Sequence, residues 1–207
     1  VLISIITSSR PDGISYVENT IKYIDNEVEY NIPRVLICHG GRPRGPIPWN
    51  WRIIDLPFET KHIDNKYSGW EALRAASELQ TDLLFLEDDI KPSRKGSFNE
   101  MLAHEVPDGL AFTSFFHAIY PKGNYPCNKF NMSQAVKIPL RTVEYLLGSQ
   151  KGFMGNWWAN RGIDLIIGQF CHFNQMRYEQ TDNKIKHVGV VSICSPGNLG
   201  SPWAAED

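Results

Sequence analysis

No apolar run among the 207 residues approaches the ~18 that a membrane-spanning helix needs, so the chain reads as soluble. Neither sign of charge dominates. A formal net charge of −2 removes support for a chain-wide nucleic-acid footprint and leaves only local basic patches open. Cysteine is sparse and scattered: Cys38, Cys127, Cys171 and Cys194 include no C-x-x-C pair, which argues against a zinc site and for free thiols, with Cys38 in an apolar strand as core. Internal repeats, low-complexity tracts and linker composition are all missing, so a single domain over residues 1–207 is expected. Asn131-Met132-Ser133 is a formal glycosylation sequon that matters only in a secretory compartment. The sequence opens at Val1 almost directly on a strand, as a trimmed domain would. A cytoplasmic setting in a microbe or a virus-infected cell is nevertheless expected over a trimmed secretory-pathway domain.

What is present is an alternation of strands and helices. "LISIITSS" (2–9) is a β-branched run closed by the turn signal Arg10-Pro11-Asp12-Gly13, and the segment 14–24 carries apolar residues at helical spacing. "RVLIC" (34–38) and "RIIDL" (52–56) read as strands on either side of a loop whose prolines exclude a helix. A helix over 67–79 leads into the strand "DLLFLEDD". This order predicts an α/β fold with a mixed, mostly parallel sheet flanked by helices. The second half is less regular. One long or two bent strands are expected over 109–120 and a short strand over 133–138. Helices are expected over 139–148, ended by Gly148, and over 161–170, with an extended segment over 185–194.

Ligands of such sheets bind beyond the carboxyl ends of the strands. There the sequence places Glu87, Asp88 and Asp89 in a row after Leu83–Leu86, and "IKPS" reads as the end of the strand. Three adjacent carboxylates repel one another, and a bound cation would stabilise their ionised forms. Magnesium-type sites use one or two carboxylates together with substrate phosphates. Strand alternation turns Glu87 and Asp89 to one side and Asp88 to the other. A solvated acidic turn is the plain alternative; the long apolar lead-in favours a metal and diphosphate site.

"LISIITSSRPDG", "LLFLEDDIKP" and "IKHVGVVS", in that order, resemble glycosyltransferases of the GT-A fold, the Rossmann-like fold of nucleotide-diphospho-sugar transferases. They are similar in particular to the N-acetylglucosaminyltransferase IV type and related microbial and viral sugar transferases. The resemblance implies a nucleotide-diphosphate sugar donor, a UDP-sugar first among them, and manganese or magnesium at a D-x-D-like motif. It implies Asp89 and His187 as metal ligands, with Glu87 and Asp88 against ribose, donor sugar or metal-bound water. Thr7, Ser8, Ser9 and Arg10 would cradle the nucleotide, and the start of the helix at Lys66–Gly69 would touch it as well. A nucleotide-binding half would cover about 1–92 and an acceptor-binding half about 93–207. The Pro-rich loop 40–50 has no counterpart in the family.

An inverting transferase needs a carboxylate to take the acceptor proton. Asp164, in the first turn of a short helix after a Gly-rich loop, resembles that base; offsetting the helix dipole is the competing role for it. Trp157 and Trp158 are candidates for stacking on an acceptor sugar or for plugging the core. Packing is expected of Trp49 and Trp51, and of His117 as a core or wall histidine. Arg42, Arg44, Lys91, Arg94 and Lys95 would form a basic rim. The acceptor is a glycan or another hydroxyl, and a hydroxymethylated DNA base is the minority alternative that the rim and the tryptophan pair motivate. Two further readings are a sugar nucleotidyltransferase, against which "TSSRPDG" has only one Gly and one Arg, and a non-catalytic carbohydrate-binding domain.

Overall fold

The computed structural model describes residues 1–8, 15–39, 41–56, 66–116, 120–130, 134–153 and 163–188; the side chains of residues 8, 66, 67, 151–153, 163–166 and 170 lie outside that description. Leu2–Ser8 (β1), Val17–Glu27 (α1), Arg34–His39 (β2), Trp51–Leu56 (β3), Lys66–Glu78 (α2) and Leu83–Glu87 (β4) form the first half. Ile90–Pro92 (β5), Ser97–Ala103 (α3), Leu110–Ser114 (β6), Gly123–Pro126 (β7) and Ala135–Ile138 (β8) follow. Leu140–Phe153 (α4), Ile163–Phe173 (α5), Arg177–Gln180 (β9) and Ile185–His187 (β10) complete the described chain. No described helix is long and apolar enough to cross a membrane.

Eight strands make one sheet in the order β3-β2-β1-β4-β8-β6-β9-β7, while β5 and β10 pair separately. β8 and β7 run against the rest, so the sheet is mixed and mostly parallel, as expected. Strands β1, β2 and β4 read as apolar runs because both faces are covered there. Alternation sorts Leu2, Ile6, Leu83 and Phe85 onto the face packed by α2, α4 and α5. Ile3, Ile5, Leu84 and Leu86 go to the opposite face, against α1 and α3. α1 presents Val17, Ile21 and Ile24 to that second core at helical spacing.

The second half departs from the sequence expectations in several places. Strand β6 stops at Ser114, and residues 117–119, with His117, lie outside the described part. Gly148 does not end α4. The helix runs to Phe153, its buried Val143 and Leu146 outweighing the roughly 1 kcal/mol that a mid-helix glycine costs relative to alanine. The final extended segment is described only as β10, with residues from 189 onward outside the description. Helix α3 and strands β7 and β9 were not expected. Gly168 allows α5 to approach the turn at Cys127–Lys129 closely, since a Cβ there would sit 3.1 Å from the carbonyl oxygens of Cys127 and Phe130.

Cys38, Cys127 and Cys171 are free and buried, and Cys194 lies outside the described residues. Burial, then the nearby Asp55 charge, pushes the Cys38 thiol up to about 11. Below about pH 9 both folded and unfolded chains keep this proton, and the full contribution to stability is present. As pH rises from about 9 toward 11 only the unfolded chain ionises there, so stability falls. Urea midpoints compared at about pH 8 and about pH 10.5 should drop less steeply in Cys38→Ala than in the wild type.

Candidate active site at the carboxyl ends of the strands

The carboxyl ends of β1, β2, β3 and β4 lie side by side, and the acid triplet closes the last of them. β4 ends at Glu87, whose N–H donates to the Gln134 carbonyl at 3.1 Å. Asp88 and Asp89 form the turn, and both are buried. Ile90-Lys91-Pro92 is then not a terminator, as "IKPS" had read, but a strand of its own that pairs antiparallel with β10. Pro92 is tolerated because it faces Ile185 in a non-hydrogen-bonded pair, one residue before the Ser93 N–H that bonds the Lys184 carbonyl, so its missing N–H costs no ladder bond.

This small second sheet brings in a distant residue. Register places His187 opposite Ile90, and the Val188 N–H donates to the Asp89 carbonyl at 2.8 Å. The His187 Nε2 then lies 3.1 Å from Asp89 Oδ2. A ligand atom from each of Glu87, Asp89 and His187 falls within 4.8 Å of the others. Asp88 turns the other way, and Thr7 at the end of β1 donates to its Oδ2 at 2.7 Å, a buried bond. β10 is secured just before His187. Lys184 donates to Glu100 of α3 at 2.7 Å, and that bond, with the Lys184 and Arg94 charges, holds the Glu100 carboxyl below its ordinary range.

The donor set fits a divalent cation. Two carboxylates and an imidazole suit a hard or borderline divalent metal better than a soft one. For metal bonds of about 2.1 Å, ligands at right angles sit about 3.0 Å apart and opposite ones about 4.2 Å. The Asp89–His187 separation of 3.1 Å matches the first figure, and the three ligand atoms all lie within 4.8 Å of one another.

Other expected site residues are placed unevenly. Ser8 ends β1, its side chain outside the description, and Ser9, Arg10, Trp157 and Trp158 lie outside the described residues. Asp164 is the second residue of α5, with its side chain outside the description. Of the basic rim, Arg42 is paired with Asp55 and Arg94 with Glu100, so both charges are locally offset. Trp51 is buried as expected, donating through Nε1 to Asp25 at 3.2 Å. Trp49 is not: it is 91% exposed. The Pro-rich loop folds back on the first turn of α1, where the Gly45 N–H donates to Glu18 Oε1 at 3.0 Å.

No family model and no curated protein sequence matches the chain. Among solved structures it matches the crystal structure of a glycosyltransferase involved in the glycosylation of the major capsid of PBCV-1, with a TM-score of 0.56 at 12% identity over 93% of this chain and 95% of that one. The two share a fold, an α/β sheet flanked by helices. The resemblance read from the sequence is supported at the level of the fold, and this match does not bear on the N-acetylglucosaminyltransferase IV type. Chemistry must be argued from the side chains, since one fold hosts many activities.

Proposed function

We propose that the chain is a metal-dependent glycosyltransferase that moves a sugar from a nucleotide-diphosphate donor, a UDP-sugar in the first instance, to an acceptor hydroxyl with inversion. The convergence of Glu87, Asp89 and His187 beyond the strand ends of a glycosyltransferase fold carries this reading. These three residues would hold manganese or magnesium, whose charge, when bound, offsets that of the donor diphosphate and of the departing nucleoside diphosphate. The histidine side chain and the β5–β10 ladder fix Asp89 in advance, so its ordering cost falls on folding and not on donor binding.

Residues 7–10 form the nucleotide cradle, with Thr7 orienting the Asp88 carboxylate toward ribose or donor sugar. Asp164, at the start of α5, takes the proton of the acceptor hydroxyl as its oxygen attacks the anomeric carbon. Residues 1–207 act as one catalytic domain in which the half after about residue 92 receives the acceptor, Trp157 and Trp158 supplying a stacking surface. A glycan or other neutral hydroxyl acceptor is favoured over DNA, because Arg42 and Arg94 already carry carboxylate partners. The test is release of nucleoside diphosphate from a panel of nucleotide sugars, with manganese and with chelator. Metal-dependent release supports transfer; pyrophosphate-dependent loss of donor supports nucleotidyl transfer; binding without turnover supports a non-catalytic domain.

A further inference from the structure

Strand β5, which follows the acid turn, is paired on one side only among the described residues. β5 pairs with β10 through alternate residues: the Val188 N–H donates to the Asp89 carbonyl at 2.8 Å and the Ser93 N–H to the Lys184 carbonyl at 2.9 Å. In an antiparallel pair the residues between these bonds turn their backbone groups the other way. Ile90 is one of these and Asp88, just before the first bond, turns the same way; both are buried, and among the described residues no strand pairs on that side. One buried side chain stands in for the missing strand. Thr20, in the first turn and a half of α1, lies with its Oγ1 at 2.7 Å from the Asp88 carbonyl and 2.9 Å from the Ile90 carbonyl. Its single hydroxyl proton is shared between two acceptors two residues apart, and Thr20 is fully buried.

We infer that Thr20 is a positioning residue of the metal site, holding the peptide carbonyls on either side of Asp89 so that the Asp89 carboxylate meets His187 and Glu87. β10 holds the Asp89 carbonyl from one side, and Thr20 holds its two neighbours from the other. The backbone of the turn is thereby fixed on both edges before any ligand arrives. Without the hydroxyl, both carbonyls lose the bond that Thr20 gives them and the turn gains freedom to twist, carrying the Asp89 carboxylate out of the cluster. The effect reaches the site through the main chain, since the Thr20 side chain bonds to carbonyl oxygens there and not to a carboxylate. Thr20 also links α1 to the acid turn. The segment that follows the nucleotide-cradling end of β1 is therefore coupled to the metal cluster, and not only to the sheet.

The inference rests on Glu87, Asp89 and His187 being a metal site, and the experiment separates the two claims. Manganese affinity is titrated directly, by calorimetry or by the loss of the free-ion paramagnetic resonance signal, alongside melting temperature. The set comprises wild type, Asp89→Asn, Thr20→Ser, Thr20→Ala and Thr142→Val. Thr20→Ser and Thr20→Ala both remove the γ-methyl and differ only in the hydroxyl, so their comparison holds even if each lowers stability. Thr142 is a buried threonine of α4 whose hydroxyl has no hydrogen-bond partner among the described residues, which makes it a control for altering a buried threonine.

Thr20→Ser is expected within about threefold of wild type in manganese Kd and Thr20→Ala weaker by tenfold or more, in the range that loss of an outer supporting partner costs a metal site. Thr142→Val leaves the Kd unchanged. Equal affinity in Thr20→Ser and Thr20→Ala, in a protein whose binding requires Asp89, overturns the role of Thr20 and leaves the metal site standing. Manganese binding that is absent from the wild type, or indifferent to Asp89→Asn, overturns both.

Discussion

Asp89→Asn should lose manganese binding and donor turnover by at least about a hundredfold, beyond what losing an outer partner of a metal ligand costs, while still folding. Asparagine keeps the size of the side chain and one acceptor oxygen, so the turn and its backbone bonds from Val188 and Thr20 survive. What goes is the charge, and with it the contact that a carboxylate makes with both a cation and the His187 ring. Removing one of three adjacent carboxylates also relieves their repulsion, so the metal-free variant should melt close to the wild type. Retention of full turnover by Asp89→Asn in chelator-treated buffer would show that the cluster is a folding device and not a metal centre.

The second large effect is on kcat alone. Asp164→Asn should lower the rate of transfer by roughly 10²–10⁴, the usual contribution of a positioned general base. Donor binding, read as the shift in melting temperature with nucleotide sugar, should stay as in the wild type, since the acceptor proton and not the donor is what Asp164 serves. The variant should also lose any acid limb of its pH–rate profile that reports ionisation of this carboxyl. Unchanged kcat would remove Asp164 as base and leave it as a charge at the amino end of α5, offsetting the helix dipole. Acceptor specificity would then have to be sought without a base from that helix.

The sequence reveals its fully buried strands best. β1, β2 and β4 appear as apolar runs because helices cover both faces of the sheet there, and nothing in those runs competes with a strand reading. β7 and β9 do not: "GNYP" and "RYEQ" are four residues each and polar, and their extended form comes from pairing with each other and with β6. α3 carried a usable signal in Phe98, Met101 and Leu102 at helical spacing, but seven residues between Pro92 and Pro107 are easily read as loop.

The site divides in the same way. That Glu87 and Asp89 share a side and Asp88 does not follows from strand alternation, and the Thr7–Asp88 bond agrees with it. His187 lies 98 residues from Asp89 along the chain, so no spacing rule links them; only the resemblance in "IKHVGVVS" brought it into view. Thr20 carried no signal at all. Its role depends on a hydroxyl meeting carbonyls 68 and 70 residues away, a side-chain-to-backbone contact that no residue pattern encodes. The turn at Asp88-Asp89 also hid the strand after it, because a proline two residues beyond Ile90 reads as an ending when the partner strand is not yet known.

Release of nucleoside diphosphate from a nucleotide sugar by the wild-type protein, measured with manganese and then with chelator, tests the central claim most directly. The account predicts slow hydrolysis of one donor that stops with chelator, returns with manganese and is lost in Asp89→Asn. Hydrolysis that continues unchanged in chelator, or a purified protein that neither binds nor hydrolyses any donor in the panel with manganese present, would contradict it.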